Sequence, residues 1–274
     1  MTLTTTTMNS KLEGRWALIL GASSGFGAAT ARALAGAGMN IFGVHLDRKA
    51  TLPRVRQVVA DVEAMERKAV FFNTNAADAR KRARVLDRVE ETLAGDPADS
   101  IHFMLHSLAF GTLLPFIANA AEEAVSEAQM DMTLRVMAHS LVYWVQDLVR
   151  RNLLVRGSRV YALSSAGAIR AAPMYGAVSA AKAALESHTR QLALELGPRG
   201  IAVNCLRPGV TDTPALRVIP GHEVYVAEAL KRNPGGRMTT TGDVAKVLVA
   251  MANPTIIWIS GAVIPVDGGE VIVG

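Results

Sequence analysis

The chain has 274 residues, half of them hydrophobic, with a single cysteine and a formal charge of +5 at a pI near 9.6. That is enough apolar material for one large α/β domain. A lone Cys205 excludes a disulfide within the chain, and no apolar run reaches the ~18 residues of a membrane span. The longest candidate, 255–266, is interrupted by Gly261 and Pro265. With aromatics at only 5% and no reading motif, the basic balance does not point to nucleic acid. It reads instead as solvated helix faces around Arg80, Lys81, Arg82, Arg84 and Arg88 and at Arg150, Arg151, Arg156 and Arg159, or as attraction for an acidic or phosphorylated partner.

In chain order, residues 1–11 have neither the basic region nor the apolar core of a signal peptide, and are expected to be a disordered tail on a cytoplasmic protein. Strand-length apolar runs at 16–20, 40–46, 70–73, 101–106, 159–163, 202–206 and 262–266 then alternate with helical patterns. The helices fall at 28–37, 53–67, 79–94, 121–152 in two pieces, and 173–196. Such alternation predicts a parallel sheet covered on both faces. Residues 12–274 read as one domain. The stretch 214–236, punctuated by Pro and Gly around an amphipathic middle at 223–231, reads as a mobile lid.

Two constellations carry chemistry. Gly21-Ala-Ser23-Ser24-Gly25-Phe26-Gly27 follows the first strand and opens the first helix. Its glycines permit a tight turn and close approach of backbone to a pyrophosphate, which the helix N-terminus then meets with free N–H groups. About 150 residues on, Tyr175 and Lys182 stand seven positions apart on what reads as one helix. At ~100° per residue, seven steps return to within ~20° of the start, so the two share a face. An ammonium beside a phenol favours the phenolate and makes the pair an acid towards a substrate oxygen.

The Gly-x3-Gly-x-Gly turn, the Tyr and Lys pair, Arg207-Pro208-Gly209-x3-Thr213 and the ending Val266-Asp267-Gly268-Gly269 together resemble the short-chain dehydrogenase/reductase family. The resemblance runs from Gly14 to the C-terminus. It implies an α/β fold: a single doubly wound Rossmann-type domain around a seven-stranded parallel sheet, usually assembled as a homotetramer. Within the family the chain looks closest to the enoyl-acyl-carrier-protein reductases. Most members space the pair as Tyr-x3-Lys, but position 178 is Val178 here, and Tyr175-x6-Lys182 is the spacing of the enoyl reductases. His106-Ser107-Leu108-Ala109 replaces the usual Asn-Asn-Ala-Gly and also looks like that branch. No asparagine stands near Arg135, where ketoreducing members carry one.

Displacing the phenol by three residues moves it ~4.5 Å along a helix. Hydride to the β-carbon of an enoyl thioester lands two carbons from the carbonyl, so the acid has to sit further from the hydride than in ketone reduction. The resemblance implies Tyr175 on the thioester oxygen, Lys182 on the nicotinamide ribose, and Ser165 in support. Many enoyl reductases have a tyrosine at the position of Ser165. It further implies cofactor contacts at Gly21, Ser23, Ser24, Gly25, Phe26 and Gly27, at Asn75 by the adenine, and at Ser107 and Leu108. Val210, Thr211 and Thr213 are expected beside the carboxamide. At the end of the second strand, an acidic residue would take the ribose 2′-OH and repel a 2′-phosphate. His45 aligns there with Arg48 and Lys49 beyond, which favours NADPH over NADH, while Asp47 argues the other way. Phe110, Leu113, Leu114 and Phe116 are candidates for an acyl channel or for plain core.

The expected activity is reduction of a trans-2-enoyl thioester without a metal, with an acyl carrier protein as the expected partner. A ketoreductase acting on a 3-oxoacyl thioester or other carbonyl is the alternative, and a nucleotide-binding sensor without turnover is the third reading.

Overall fold

The computed structural model describes residues 11–96 and 98–273. The expected tail therefore lies outside the described residues, except for Lys11, which opens a turn. Seven parallel strands form one sheet: β1 Trp16–Leu20, β2 Asn40–His45, β3 Ala69–Asn73, β4 Ile101–His106, β5 Arg159–Leu163, β6 Ala202–Pro208 and β7 Val263–Val266. Their order is β3-β2-β1-β4-β5-β6-β7, so the chain reverses direction across the sheet between β1 and β4. Leu20 of β1 pairs with His106 of β4 at that point, and sheets of this topology offer a crevice just beyond the strands' carboxyl ends there.

Central strands β1, β2, β4 and β5 are buried along their whole length, as continuous apolar runs of a sheet covered on both sides require. Trp16 stacks on Phe42 at 4.1 Å between ring centroids. One core layer joins Leu18, Leu86, Leu141, Trp144, Ala181 and Leu185 on one face; the other joins Ile19, Leu34, Val62, Tyr161, Val244 and Leu248.

The helices are α1 Gly25–Gly36, α2 Leu52–Glu63, α3 Ala79–Leu93, α4 Glu127–Leu134, α5 Ser140–Arg150, α6 Gly176–Leu196, α7 Pro214–Arg217, α8 His222–Arg232 and α9 Thr241–Met251. Three differ from expectation. The 121–152 stretch is broken by a π-helical turn, Arg135–His139, between α4 and α5. Helix α6 starts at Gly176, so Tyr175 is its N-cap and not a helical residue. Helix α9 was not expected, although Thr240 and Asp243 form a capping box at its start. Among the described residues no helix is long and apolar enough to cross a membrane.

Candidate active site

The phosphate-binding turn is built as the glycine spacing requires. Gly21 and Gly25 have positive φ. A Cβ on Gly27 would strike the Gly21 carbonyl oxygen and lie 2.8 Å from its carbon, and one on Gly21 would strike Ser107 O. Ser24 is the N-cap of α1 but makes no side-chain cap bond, so the first N–H groups of the helix stay open towards the crevice. Ser107 N donates to Leu20 O and the Leu108 side chain lies beside Gly21, closing the floor. A cradle this tight fits a dinucleotide pyrophosphate.

The end of β2 brings the competing signals side by side. His45 is buried and bonded through Nδ1 to Asp47 Oδ2 at 2.9 Å. Burial works to raise the Asp47 pKa, but the hydroxyls of Thr51 and Ser23 together with His45 outweigh it and hold the carboxylate below its usual range. Asp47 is thus bonded to its neighbours, Ser23 of the glycine turn among them, while Arg48 and Lys49 just beyond are exposed. Asn75 spends its side-chain oxygen on Ala77 N at 2.9 Å, within its own loop.

The catalytic candidates sit at the carboxyl ends of β4 and β5. Tyr175 is reached through Met174 at φ 59, and its ring lies against Gly167, where any Cβ would strike it. The Tyr175 hydroxyl lies 3.5 Å from Ser165 Oγ. Lys182 is buried two turns into α6 and donates to Leu163 O at 2.6 Å. Burial pulls its pKa down to about 8. Below it Glu186 accepts from Ser164 Oγ at 2.6 Å and from Arg207 Nη2 at 2.9 and 3.0 Å. Val178, at the position of the family's more common tyrosine, is buried in the core beside Gly111.

One expectation needs correction. Lys182 does not draw Tyr175 towards phenolate: burial raises the Tyr175 pKa, the Ser165 hydroxyl opposes this, and Tyr225 adds to it. The cause is local. Tyr175 stands outside the helix, and the Lys182 ammonium is folded down onto a strand-end carbonyl. Its charge bears on His106, whose burial first and Lys182 second lower its pKa to about 3. His106 Nε2 meets Ser140 Oγ at 2.8 Å, and that hydroxyl donates to Val136 O within the π-helical turn.

On the β6 side, Val210 N donates to Glu270 Oε2 at 2.9 Å, so only its carbonyl is left to meet a carboxamide. Thr211 Oγ1 donates to Gly209 O, and Thr213 Oγ1 caps α7 by accepting from Leu216 N while its methyl stands beside Gly25. The expected lid resolves into α7 and α8, with Asn233 Nδ2 tying the end of α8 to Asp267 O at 2.8 Å. Phe116 covers Gly176 at the mouth and Phe110 is exposed, whereas Leu113 packs on the core. Sequence reasoning missed Glu186, which was signalled by its place one turn after Lys182 and which holds Ser164 and Arg207 at the strand ends.

A family model described as enoyl-(acyl carrier protein) reductase matches residues 21–270. The chain belongs to the short-chain dehydrogenase/reductase family. Versicolorin reductase 1 of Dothistroma septosporum is 25% identical over 271 residues, covering 95% of this chain and 97% of that protein. A short-chain dehydrogenase of Burkholderia cenocepacia J2315, solved in complex with NADP, is 28% identical at a TM-score of 0.79, with 95% and 99% of the two chains covered. LugOII, a promiscuous reductase that catalyses keto-reduction at C1 during lugdunomycin biosynthesis, is 30% identical at a TM-score of 0.81, with 96% and 99% covered. This family of oxidoreductases works with NAD(P)H, and the cradle around Gly21, Gly25 and Gly27 fits that cofactor.

Proposed function

We propose that the protein is a reductase of α,β-unsaturated acyl thioesters, with the thioester borne on an acyl carrier protein. The observation that carries this reading is the pair of positions 175 and 178. The phenol stands at the N-cap of α6, beside Ser165, while the residue one turn inside is a buried valine. The acid is thereby moved outwards, as hydride delivery two carbons from the carbonyl demands. The matching family model supports it.

When bound, the dinucleotide supplies hydride. Residues at the first turn would hold its pyrophosphate, and Lys182 would face the nicotinamide ribose. Tyr175, kept protonated by burial, donates to the thioester oxygen as negative charge gathers there. NADPH is the proposed donor, because the Asp47 carboxylate is already bonded by His45, Thr51 and Ser23 while Arg48 and Lys49 are exposed and free to meet a 2′-phosphate. A homotetramer is the assembly the family resemblance supports.

A second reading has its own support. Ser165 at 3.5 Å from the Tyr175 hydroxyl offers a hydroxyl pair to a ketone, and the LugOII likeness points to keto-reduction. The test follows absorbance loss of NADPH, and separately NADH, with a trans-2-enoyl thioester and with a 3-oxoacyl thioester. Turnover of the enoyl substrate, abolished in Tyr175→Phe, is the expected result. Turnover of the 3-oxo substrate alone makes the protein a ketoreductase.

A further inference from the structure

Helix α6 turns two charged residues into its core-facing stripe. Ala181, Leu185, Thr189 and Leu192 are buried as such a stripe requires, but so are Lys182 and Glu186, one turn apart. Taking a carboxylate out of water is costly unless its oxygens are bonded. Glu186 meets that condition at both oxygens. Oε1 accepts from Ser164 Oγ at 2.6 Å and from Arg207 Nε and Nη2 at 3.2 and 2.9 Å, and Oε2 accepts from Nη2 at 3.0 Å.

Both partners adjoin the site. Ser164 stands between Leu163, whose carbonyl takes the Lys182 ammonium at 2.6 Å, and Ser165, whose hydroxyl lies 3.5 Å from that of Tyr175. Arg207 stands two residues before Gly209, whose N–H is held by Val266 O at 3.1 Å in the segment that leads to Val210. Ser164 N also donates to Leu206 O at 2.8 Å, so the carboxylate reinforces a backbone bond between the same two strand ends. One side chain thus ties α6 to the ends of β5 and β6, at the point from which Lys182 and Ser165 reach the site. A buried ion pair is often replaceable by apolar side chains of similar volume without loss of stability.

We propose that Glu186 is a positioning residue of the hydride-transfer site: through Ser164 and Arg207 it fixes where Lys182 and Ser165 stand relative to Tyr175. The inference rests on the reading of Tyr175 and Lys182 as the working pair, and not on which thioester is reduced. The carboxylate also acts through its charge. Burial lowers the Lys182 pKa to about 8, and Cys205 and Glu186 oppose it. The Cys205 thiol on β6 is pushed up to about 12, chiefly by burial, and burial keeps His106 on β4 neutral, so neither is charged at neutral pH. Arg207 on β6 is charged and is bonded to Glu186 itself. Glu186 is therefore the anion that favours the Lys182 ammonium.

The experiment compares wild type with Glu186→Gln and with the double variant Glu186→Met, Arg207→Met, which removes both charges and strands neither. Thermal unfolding and dinucleotide binding are read beside kcat, KM and the alkaline limb of kcat/KM on the thioester that the wild type turns over. The double variant should melt within about 5 °C of wild type. It should bind dinucleotide within about threefold of wild type, since the pyrophosphate cradle at 21–27 follows β1 and not β5 or β6. Its kcat should fall about 10-fold or more with KM little changed, the scale expected for reacting groups held slightly out of place. In both variants the alkaline limb should move down by about half a pH unit or more, because Lys182 has lost the carboxylate one turn away. A double variant with kcat within about twofold of wild type overturns the proposal. So does a loss of turnover with the limb in place, which would leave Glu186 a packing group. Should the double variant unfold, Glu186→Gln keeps the side chain's shape, and a limb unmoved in that variant overturns the proposal by itself. These failures leave the reading of the site intact provided Tyr175→Phe is inactive. A wild type without turnover on either an enoyl or a 3-oxoacyl thioester overturns both.

Discussion

Two histidines buried neutral in the sheet should make the fold acid-sensitive before most carboxylates titrate. His102 Nδ1 accepts from Arg15 at 2.9 Å, and Nε2 therefore carries the proton given to Ala252 O. Burial, aided by Arg15 and Arg159, lowers the His102 pKa to about 4. Burial and Lys182 lower that of His106 to about 3. An unfolded histidine titrates near ~6.5, so below that pH the unfolded chain binds protons that the native state refuses, and stability falls as pH falls. From pH 7.5 to pH 5 each ring costs about 2 kcal/mol, about 4 kcal/mol together, a large share of a typical domain's stability. Urea unfolding at both pH values, on wild type and on His102→Gln, His106→Gln and the double variant, reads the difference in loss and not the absolute stability. The double variant should lose about 4 kcal/mol less than wild type between the two pH values. Equal losses to within about 1 kcal/mol would refute the neutral, buried assignment of both rings.

Three further outcomes follow from the site. Gly27→Ala drives a methyl into the Gly21 carbonyl, a backbone group that cannot step aside, so it should cost about 1–3 kcal/mol in urea unfolding and weaken dinucleotide binding at the same time. Glu186→Ala strands the largely buried Arg207 guanidinium and should cost about 3–5 kcal/mol, little changed by added salt, with Glu186→Gln milder. Arg48→Ala should lower kcat/KM with NADPH about tenfold or more while leaving NADH nearly untouched; an unchanged ratio of the two would remove Arg48 from the cofactor site.

Much of the architecture was legible because it rests on periodic burial. Strands β1, β4 and β5 coincide with their apolar runs, and the glycine turn sits where its spacing put it. What could not be read depends on contacts between segments distant in sequence. The π-helical turn at Arg135–His139 has no period of its own. Tyr175 leaves α6 because Met174 takes a positive φ and Phe116, some sixty residues away, presses on Gly176. The direction in which Asp47 points was set by Ser23 and His45 together, not by strand length. Helix α9 is the exception: its capping box was in the sequence, hidden behind a stretch with many small residues.

Thr213 belongs to two parts of the molecule. Its hydroxyl caps the first helix of the lid, and its methyl stands beside Gly25 of the pyrophosphate turn, 3.5 Å from where a Cβ there would be. The residue that roots the lid therefore adjoins the cofactor's own seat. Kinetically, this predicts compulsory order: the dinucleotide enters first and leaves last, with the acyl product acting as a noncompetitive inhibitor against it.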